Sequence, residues 1–207
     1  MPTRSLAVIG AGGHALVAID ALLCSGWDLS DIAVYDENPA RVGQLMEGLR
    51  ILPMGMAELQ GAPFHVAIGR NDVRRRLHTE MMRNGGTAVS IIHPAASISR
   101  SASLAPGCLV AAQAVVGPRA SLGSAVIVNH GAVVDHECVV GDFSHVAPAA
   151  TMSGASSIGS GVLLGAGARV LPGIAVGQDA VIGAGAVVAD NLDAGGVYLG
   201  MPARPAR

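Results

Sequence analysis

The chain has 207 residues, 51% of them hydrophobic but only 2% aromatic, so its core must be built from small aliphatic side chains. A net charge of −2, with every basic residue an arginine, gives no reason to expect binding to nucleic acid or to a membrane surface. Three cysteines without a Cys-x-x-Cys pair predict a reducing cytoplasm and no disulfide framework, and the first residues match neither a signal peptide nor a membrane span.

The first 92 residues are predicted to form an α/β domain. Strand-like segments alternate with helix-like ones, which is the pattern of a parallel sheet with helices packed on it. The predicted strands are SLAVIG, DIAVYD, FHVAIG and AVSIIHP, and the predicted helices are HALVAIDALLCSG and NDVRRRLHTEMMRNGG.

The two predicted helices carry signals for their faces and ends. The buried side of the first is expected to hold its aliphatic residues Leu16, Ile19, Leu22 and Leu23. Gly26 is expected to end that helix, and Gly85 the second one. Asn71 is expected to be the N-cap of the second helix. The run Arg74-Arg75-Arg76 is interpreted as a solvated helix face.

A glycine-rich loop, VIGAGGHA, follows the first strand and opens the first helix. Gly10, Gly12 and Ala15 approximate the G-x-G-x-x-G pattern, in which the backbone approaches a phosphate at a helix N-terminus. Asp36 ends the second strand, where a contact to a ribose or base is expected. A part of about 90 residues is too small for both halves of a dinucleotide-binding fold, and His14 lies inside the loop. We therefore expect a Rossmann-like half domain that binds one nucleotide diphosphate carrying a sugar.

From Ile98 onward the hydrophobic pattern has a period of six residues that does not slip. Sixteen consecutive positions at this spacing, from Ile98 to Val188, are aliphatic. A second series four residues later is mostly Ala, Cys and Ser, and Gly often follows the aliphatic residue, where we expect it to ease the turns. This period predicts a short strand and a corner, repeated, with three sides closing a coil of about 18 residues. Residues 93–207 are therefore predicted to form a triangular parallel β-helix.

Two histidines lie nine residues apart in the segment VVDHECVVGDFSHVAPAA. His136 is flanked by Asp135 and Glu137, either of which could orient an imidazole and raise its basicity. Nine residues are half a coil, so His136 and His145 should point in roughly opposite directions from one prism. They can share a site only if they come from different subunits, which predicts a cyclic homo-oligomer. Cys138 offers a rival nucleophilic mechanism, but it falls in the small inward series and is expected to be buried and inert.

Six motifs together resemble the sugar O-acyltransferase family, which includes sialic-acid O-acetyltransferases and the N-acetyltransferases of nucleotide-linked 4-amino-4,6-dideoxy sugars of the bacillosamine and perosamine type. These motifs are GAGGHA, YDEN, AIGRN, IIHP, NHGAVVDHECVVGDFSHVAP and GMPAR, and they span nearly the whole chain. The resemblance implies a left-handed hexapeptide-repeat β-helix and a homotrimer with active sites between adjacent prisms. It also implies that the front domain binds the nucleotide sugar and the β-helix binds acetyl-CoA.

The same resemblance implies roles for individual residues. His136 is expected to be the general base, with Glu137 as its partner. Contacts to acetyl-CoA are expected at His145, Ala166 and Ala184. Contacts to the sugar nucleotide are expected at Gly12, Gly13, His14, Asp36, Glu37, Gly69 and Asn71. No metal is expected, and His65, His78 and His93 are expected to have structural roles.

The predicted reaction is acetyl transfer from acetyl-CoA to the amino group of a nucleotide-linked 4-amino-4,6-dideoxy sugar. O-acetylation of a sugar hydroxyl, such as on sialic acid, stays open because the same base serves an amine or a hydroxyl. A third hypothesis, a non-catalytic sugar-nucleotide sensor or a nicotinamide-binding protein, is disfavoured by the intact His136-Glu137 pair. The choice among UDP, GDP and dTDP stays open as well.

Overall fold

The structure is a computed structural model and describes residues 5–206. The chain divides between Pro94 and Ala95 into two compact units. The first unit is an α/β structure, and the second is a left-handed parallel β-helix.

The first unit is built on a six-stranded sheet whose strand order is β3-β4-β2-β1-β5-β6. The strands are β1 (Leu6–Ile9), β2 (Ile32–Asp36), β3 (Leu45–Met46), β4 (Leu49–Pro53), β5 (Pro63–Val66) and β6 (Thr87–Ala88). The β3–β4 pair is antiparallel, and the other pairs are parallel. The remaining elements are α1 (Gly13–Cys24), a 3-10 turn (Leu29–Asp31), α2 (Asn71–Arg83) and β7 (Ile91–Ile92).

The β3–β4 hairpin is absent from the sequence-based prediction. Its two turn residues, Glu47 and Gly48, both have positive φ, at 46° and 82°. This is the backbone of a two-residue hairpin turn, which sequence analysis usually finds through Asn-Gly or Asp-Gly. A Glu-Gly pair does not give that signal.

Helix α1 buries small residues, and the prediction of a leucine-lined buried side was wrong in part. Ile19 and Leu22 are buried as expected, but Leu16 and Leu23 are 42% and 37% exposed. The rest of the buried face consists of alanines, namely Ala15, Ala18 and Ala21. Short side chains let a helix approach its neighbours closely, so the alanines lie where the aliphatic periodicity alone would place leucines. Gly26, with φ of 87°, follows the helix end as predicted.

Helix α2 starts one residue earlier than the predicted cap implies. Its N-cap position is Arg70, which makes no side-chain capping bond, and Asn71 is the first helical residue. The prediction that Asn71 is the N-cap was therefore wrong. Its Oδ1 instead accepts a hydrogen bond of 2.8 Å from Nη2 of Arg74. Gly85, with φ of 77°, follows the helix as predicted.

The second unit is a stack of two-residue strands joined by corners, arranged in three parallel sheets. Sheet I contains β10 (Leu109–Val110), β13 (Ile127–Val128), β16 (His145–Val146), β19 (Leu163–Leu164), β22 (Val181–Ile182), β24 (Val197–Leu199) and β25 (Arg204–Pro205). Sheet II contains β8 (Ser97–Ile98), β11 (Val115–Val116), β14 (Val133–Val134), β17 (Thr151–Met152), β20 (Arg169–Val170) and β23 (Val187–Val188). Sheet III contains β9 (Ser103–Leu104), β12 (Ser121–Leu122), β15 (Val139–Val140), β18 (Ser157–Ile158) and β21 (Ala175–Val176).

The register confirms the predicted coil. Val134 pairs with Val116 before it and Met152 after it, each 18 residues away. The aliphatic series points inward, and Val110 and every later member up to Val188 are buried, while Ile98 and Leu104 pack against the same core at its beginning. β25 pairs antiparallel with β24 at the other end.

The corners of the β-helix are made by the residue three positions after each inward aliphatic. Among the described corners from Gly107 to Gly185, this residue always has a positive φ. Six are glycines, and eight are not, namely Gln113, Arg119, Ala125, Glu137, Phe143, Ala149, Ala155 and Asp179. The left-handed conformation thus occurs at a position where the sequence often has a side chain.

Glycines directly after the inward aliphatic residues have a different role, and the prediction that they ease the turns was wrong. None of Gly117, Gly141 and Gly159 has the left-handed φ found at the corners. A Cβ on Gly117 would lie 2.7 Å from the backbone nitrogen of His136, and one on Gly159 would lie 2.6 Å from that of Gln178. These glycines are therefore needed because successive coils approach closely at this point.

Candidate active site

The glycine loop of the first unit opens onto a cavity of about 570 Å³. Of the residues predicted to contact the sugar nucleotide, the cavity is lined by Gly12, Gly13, His14, Asp36 and Gly69. Glu37 and Asn71 do not line it. Three polar residues that the sequence analysis did not select, Asn38, Arg41 and Arg70, line it as well.

The loop backbone explains why glycine is required here. Gly10 has φ of 103°, and a Cβ on it would lie 2.6 Å from Cγ1 of Ile68. Gly12 is the N-cap of α1, and α1 has no acidic residue in its first turn. The N-terminus of α1 and the positive end of the helix dipole therefore border the cavity without a competing carboxylate in the first turn. This arrangement suits the binding of an anion such as a phosphate.

Asp36 ties the end of β2 to the glycine loop. Its Oδ2 accepts a hydrogen bond of 2.7 Å from the backbone N–H of Ala11, and its Oδ1 accepts one of 2.7 Å from that of Asn38. Nη1 of Arg41 donates to the carbonyl oxygen of Ala11 from the same side. The carboxylate thus holds the loop in shape, while each oxygen retains a lone pair that a ligand hydroxyl could use.

Arg74 shapes the other wall of the cavity from within the core. Its side chain is buried, and its guanidinium donates to the carbonyl oxygens of Ile68 at 2.9 Å and Gly69 at 3.1 Å, as well as to Asn71. The prediction that the arginine run is a solvated helix face was wrong for Arg74. The partly buried carbonyl groups at the turn between β5 and α2 need donors, and this guanidinium supplies them.

Glu37 is engaged outside the cavity. Its Oε2 lies 2.6 Å from Nη2 of Arg76, and that arginine also approaches Glu80 at 3.3 Å. These side chains are about half exposed. The structure therefore separates Glu37 from the five predicted residues that share the cavity.

His136 lies on the outer edge between sheets II and III, beside two carboxylates and an arginine. Its Nδ1 is 3.2 Å from Oε2 of Glu137, and its backbone N–H donates to Oδ1 of Asp135 at 2.7 Å. Nη2 of Arg119 donates to Oε1 of Glu137 at 2.5 Å. With Nδ1 protonated and donating to Glu137, Nε2 of His136 is left as a proton acceptor.

The predicted coenzyme residues lie away from the edge that carries His136. His145 is the outward residue of β16 in sheet I, and its Nε2 lies 3.0 Å from Nδ2 of Asn129. Ala166 and Ala184 are exposed at the corners that follow β19 and β22, on the edge between sheets I and II. His136 and His145 therefore lie on different sides of the prism, as the half-coil spacing predicted. Asn129 was missed, although its spacing from His145 is close to one coil.

Cys138 is buried beneath the active-site edge, as expected. Burial raises the pKa of its thiol. Its Sγ also lies 3.2 Å from the carbonyl oxygen of Ser153 and 3.5 Å from Oγ of Ser156. A thiolate is disfavoured in such surroundings, so a nucleophilic role is not supported by the geometry.

The other histidines of the first unit are mostly enclosed. His65 and His78 are buried, and the ring of His78 meets that of Phe64 edge-on at 5.4 Å between centroids. Nε2 of His93 lies 3.8 Å from Oδ2 of Asp20. Within residues 5–206, no helix is both long and apolar enough to cross a bilayer.

Comparison with sequence families supports both units. Residues 5–81 match the PglD N-terminal domain family, and residues 155–190 match the bacterial transferase hexapeptide family of six repeats. A curated relative, UDP-N-acetylbacillosamine N-acetyltransferase from Bacillus subtilis, is 32% identical over 113 residues. That alignment covers 53% of this chain, and the chain spans about half of the relative, 52% of its length.

Solved structures match over nearly the full chain. A variant of perosamine N-acetyltransferase from Caulobacter crescentus, in complex with CoA and GDP-perosamine, is 34% identical with a TM-score of 0.91, covering 98% of this chain and 97% of that one. The acetyltransferase domain of PglB from Neisseria gonorrhoeae, in complex with acetyl coenzyme A, is 32% identical with a TM-score of 0.90, covering 99% and 100% of the two chains.

Proposed function

The chain belongs to the family of hexapeptide-repeat amino-sugar N-acetyltransferases that contains the Caulobacter and Neisseria proteins, and we propose that it acetylates a nucleotide-linked 4-amino-4,6-dideoxy sugar with acetyl-CoA as co-substrate. The observation that carries this proposal is the imidazole of His136, oriented by Glu137 on the outer edge of the β-helix. The cavity of about 570 Å³ at the glycine loop supports a nucleotide substrate.

We assign the nucleotide sugar to the first unit. The N-terminus of α1 suits the diphosphate, because it borders the cavity. Arg41 and Arg70 add positive charge to the cavity wall, and the Asp36 carboxylate offers acceptors for a ribose hydroxyl. Gly12, Gly13, His14 and Gly69 stay in the predicted contact set with Asp36, and Glu37 and Asn71 are proposed as peripheral to it.

The proposed chemistry is direct transfer. The neutral amine of the sugar attacks the thioester carbonyl carbon, a C–N bond forms, and the C–S bond breaks. Nε2 of His136 removes the amine proton, which then passes to the departing CoA thiolate. Glu137 stabilises the imidazolium formed in between. A positioned base of this kind contributes about 10²–10⁴-fold to the rate.

We further propose that the active unit is a homotrimer with its sites between prisms. His136 occupies the edge between sheets II and III, whereas His145 lies on the outer side of sheet I, and Ala166 and Ala184 lie on the edge between sheets I and II. If the coenzyme is bound at His145, Ala166 and Ala184, a second chain must supply the base. The protein would then act in the cytoplasm, where acetyl-CoA and nucleotide sugars occur together, on the route to a cell-surface polysaccharide.

A thiol-release assay tests the proposal. Acetyl-CoA is supplied with a panel of UDP-, GDP- and dTDP-linked 4-amino-4,6-dideoxy sugars and with free sialic acid. We expect release of CoA with at least one amino sugar and none with sialic acid. Release with sialic acid alone would favour the alternative, sugar O-acetylation of the sialic-acid O-acetyltransferase type.

The His136→Ala variant tests the assigned base. We expect kcat to fall by about 10²–10⁴-fold, while the affinity for the sugar nucleotide and the Tm change little, because His136 is exposed and leaves no core cavity. Calorimetric titration of the sugar nucleotide and a thermal scan provide the controls. A variant that keeps wild-type kcat would remove His136 from the mechanism.

A further inference from the structure

The base is surrounded by residues from three successive coils. Arg119, Glu137 and Ala155 occupy equivalent corners, each 18 residues apart and each with positive φ. Pro118, His136 and Gly154 form the adjoining column, one residue earlier. Consecutive coils lie roughly 4.8 Å apart. Side chains on the coil before and on the coil after therefore lie beside the imidazole and its carboxylate partner.

Arg119, on the preceding coil, holds the carboxylate of Glu137 in place. Oε1 of Glu137 accepts from Nη2 of Arg119 at 2.5 Å, while Oε2 of the same carboxylate lies 3.2 Å from Nδ1 of His136. The two oxygens thus have different partners, and the carboxylate cannot rotate without breaking one contact. Both side chains are exposed, so the pair fixes the orientation of the carboxylate more than it adds stability.

Gly154, on the following coil, leaves room for the imidazole ring of His136. A Cβ placed on Gly154 would collide with Cε1 and Nε2 of His136, and these ring atoms and Cδ2 are its three nearest neighbours. Gly154 does not have a left-handed φ. Other corners carry a side chain at the equivalent position, including Ser124, Ser160 and Ala166. The turn itself therefore does not require glycine at 154, and the imidazole does.

We infer that Arg119 and Gly154 are positioning residues for the general base, Arg119 by fixing the Glu137 carboxylate and Gly154 by leaving room for the His136 ring. This inference rests on the proposed function. Neither residue was selected by the sequence analysis, and both act through another side chain. Together with His136 and Glu137, they form a site to which three successive coils contribute.

The arginine also affects the charge balance at the base. The charged groups recorded in contact with His136 or its partner are Asp135, Glu137 and Arg119. Arg119 adds a positive charge beside the carboxylate that stabilises the imidazolium. Arg119→Gln removes this charge, whereas Arg119→Lys keeps it, so a partial recovery of kcat with lysine is an effect that a residue needed only for folding would not show.

A double-mutant cycle tests whether Arg119 acts through Glu137. Arg119→Gln alone should lower kcat about two- to fivefold, the range of an exposed ion pair, with both KM values unchanged. In a Glu137→Gln background the same substitution should have no further effect, and Arg119→Lys should restore part of the loss. The matched control Arg100→Gln removes an exposed arginine that precedes Pro118 by one coil, and it should leave kcat unchanged. Equal losses in both backgrounds, or no recovery with lysine, would overturn the role of Arg119.

Gly154→Ala tests the space for the ring. The methyl group must displace the imidazole, so kcat should fall by about 10²-fold, the cost of misplacing a catalytic group by about 1 Å. The Tm and the sugar-nucleotide affinity should stay near wild type, because the three atoms nearest to the added methyl group all belong to the exposed His136 ring. A variant with wild-type kcat would overturn the role of Gly154.

A chemical readout separates this inference from the proposed function. Diethyl pyrocarbonate modifies neutral imidazoles, and peptide mass spectrometry reports His136 and the exposed His130 of the same chain separately. At one fixed pH, the rate of modification of His136 should change in Arg119→Gln, and that of His130 should stay constant. This holds whatever the acceptor sugar is. An inactive wild-type enzyme with the changed rate would contradict the proposed function alone, and an active one without the change would overturn the inference alone.

Discussion

Protonation of His65 should destabilise the α/β unit in mild acid. The imidazole is buried on β5, and its Nδ1 lies 3.0 Å from the carbonyl oxygen of Val89. Burial lowers the pKa of His65 from 6.5 to about 4. The hydrogen bond to Val89 opposes this shift, and the charges of Arg74 and His78 add to it. The folded chain thus releases the His65 proton at a pH where the unfolded chain still binds it.

The sign and size of the effect follow from that difference. Between pH 6.5 and 4 the unfolded state binds more protons at this residue, so the free energy of unfolding falls as the pH falls. The contribution is fully present above pH 6.5. At about 1.36 kcal/mol per pKa unit, the loss approaches about 3.4 kcal/mol below pH 4 and is about 2 kcal/mol at pH 5. The value at pH 5 is the more useful one, because most carboxylates are still ionised there.

Urea unfolding at pH 7 and at pH 5 measures this loss. Trp27, the single tryptophan, lies in the α/β unit and gives a fluorescence signal for its unfolding. The control is His65→Asn, whose amide N–H can still donate to Val89 but does not titrate. Wild type should lose about 2 kcal/mol more than the variant between the two pH values. Equal losses in the two proteins would refute the assignment of the acid sensitivity to His65.

Four further outcomes are expected. Gly12→Val should raise KM for the sugar nucleotide and leave KM for acetyl-CoA unchanged in steady-state assays, because its side chain would block the approach of a phosphate; a rise for acetyl-CoA alone would contradict the assigned units. Arg74→Met should lower the free energy of unfolding in urea by roughly 3 kcal/mol, since it removes a buried guanidinium that donates to three partly buried acceptors; an unchanged midpoint would contradict this. Cys138→Ala should keep most of the activity, and an acetylated Cys138 peptide in mass spectrometry would refute direct transfer. Sedimentation at micromolar concentration should give a trimer, and a fully active monomer would argue against shared sites.

The architecture of the β-helix could be predicted because its signal is repeated many times. Each of the 16 aliphatic residues from Ile98 to Val188 carries the same information, so the period of six and the three-sided coil are over-determined. The role of single glycines was not accessible in this way. Gly117 is required by the close backbone of the next coil and not by a turn. The residues next to Gly117 in the sequence do not indicate this contact.

The first unit shows a different limit. Its strands and helices follow from periodicity, yet the buried side of α1 consists largely of alanines, because the distance between packed elements selects small residues there. Arg74 reads as one of three surface arginines, and its burial depends on carbonyl groups that only the folded turn brings to it. Sequence patterns identify a helix face more reliably than they identify a buried polar network.

The pair of His136 and Glu137 was predicted from the sequence, but the ion pair of Glu137 with Arg119 was not. His136 and Glu137 are adjacent in the sequence, so their pairing could be anticipated. Arg119 lies 18 residues before Glu137, which the predicted coil already implied would bring the two together. The pairing was missed because only flanking residues were considered as partners for the histidine. In this fold, residues one coil apart are as close as neighbours along the chain.

The β-helix has two sequence repeats of different length: the core pattern repeats every six residues, whereas a position on a given edge repeats only every 18. An insertion of six residues between β16 and β19 would keep every aliphatic side chain inward, because the core pattern repeats every six. It would nevertheless turn everything downstream by one side of the prism and carry Ala166 and Ala184 to the edge that His136 occupies. An insertion of 18 would restore the edges and only lengthen the stack by about 4.8 Å. An insertion whose length is not a multiple of six should therefore disrupt folding. An insertion of six or twelve residues should leave folding intact and abolish catalysis.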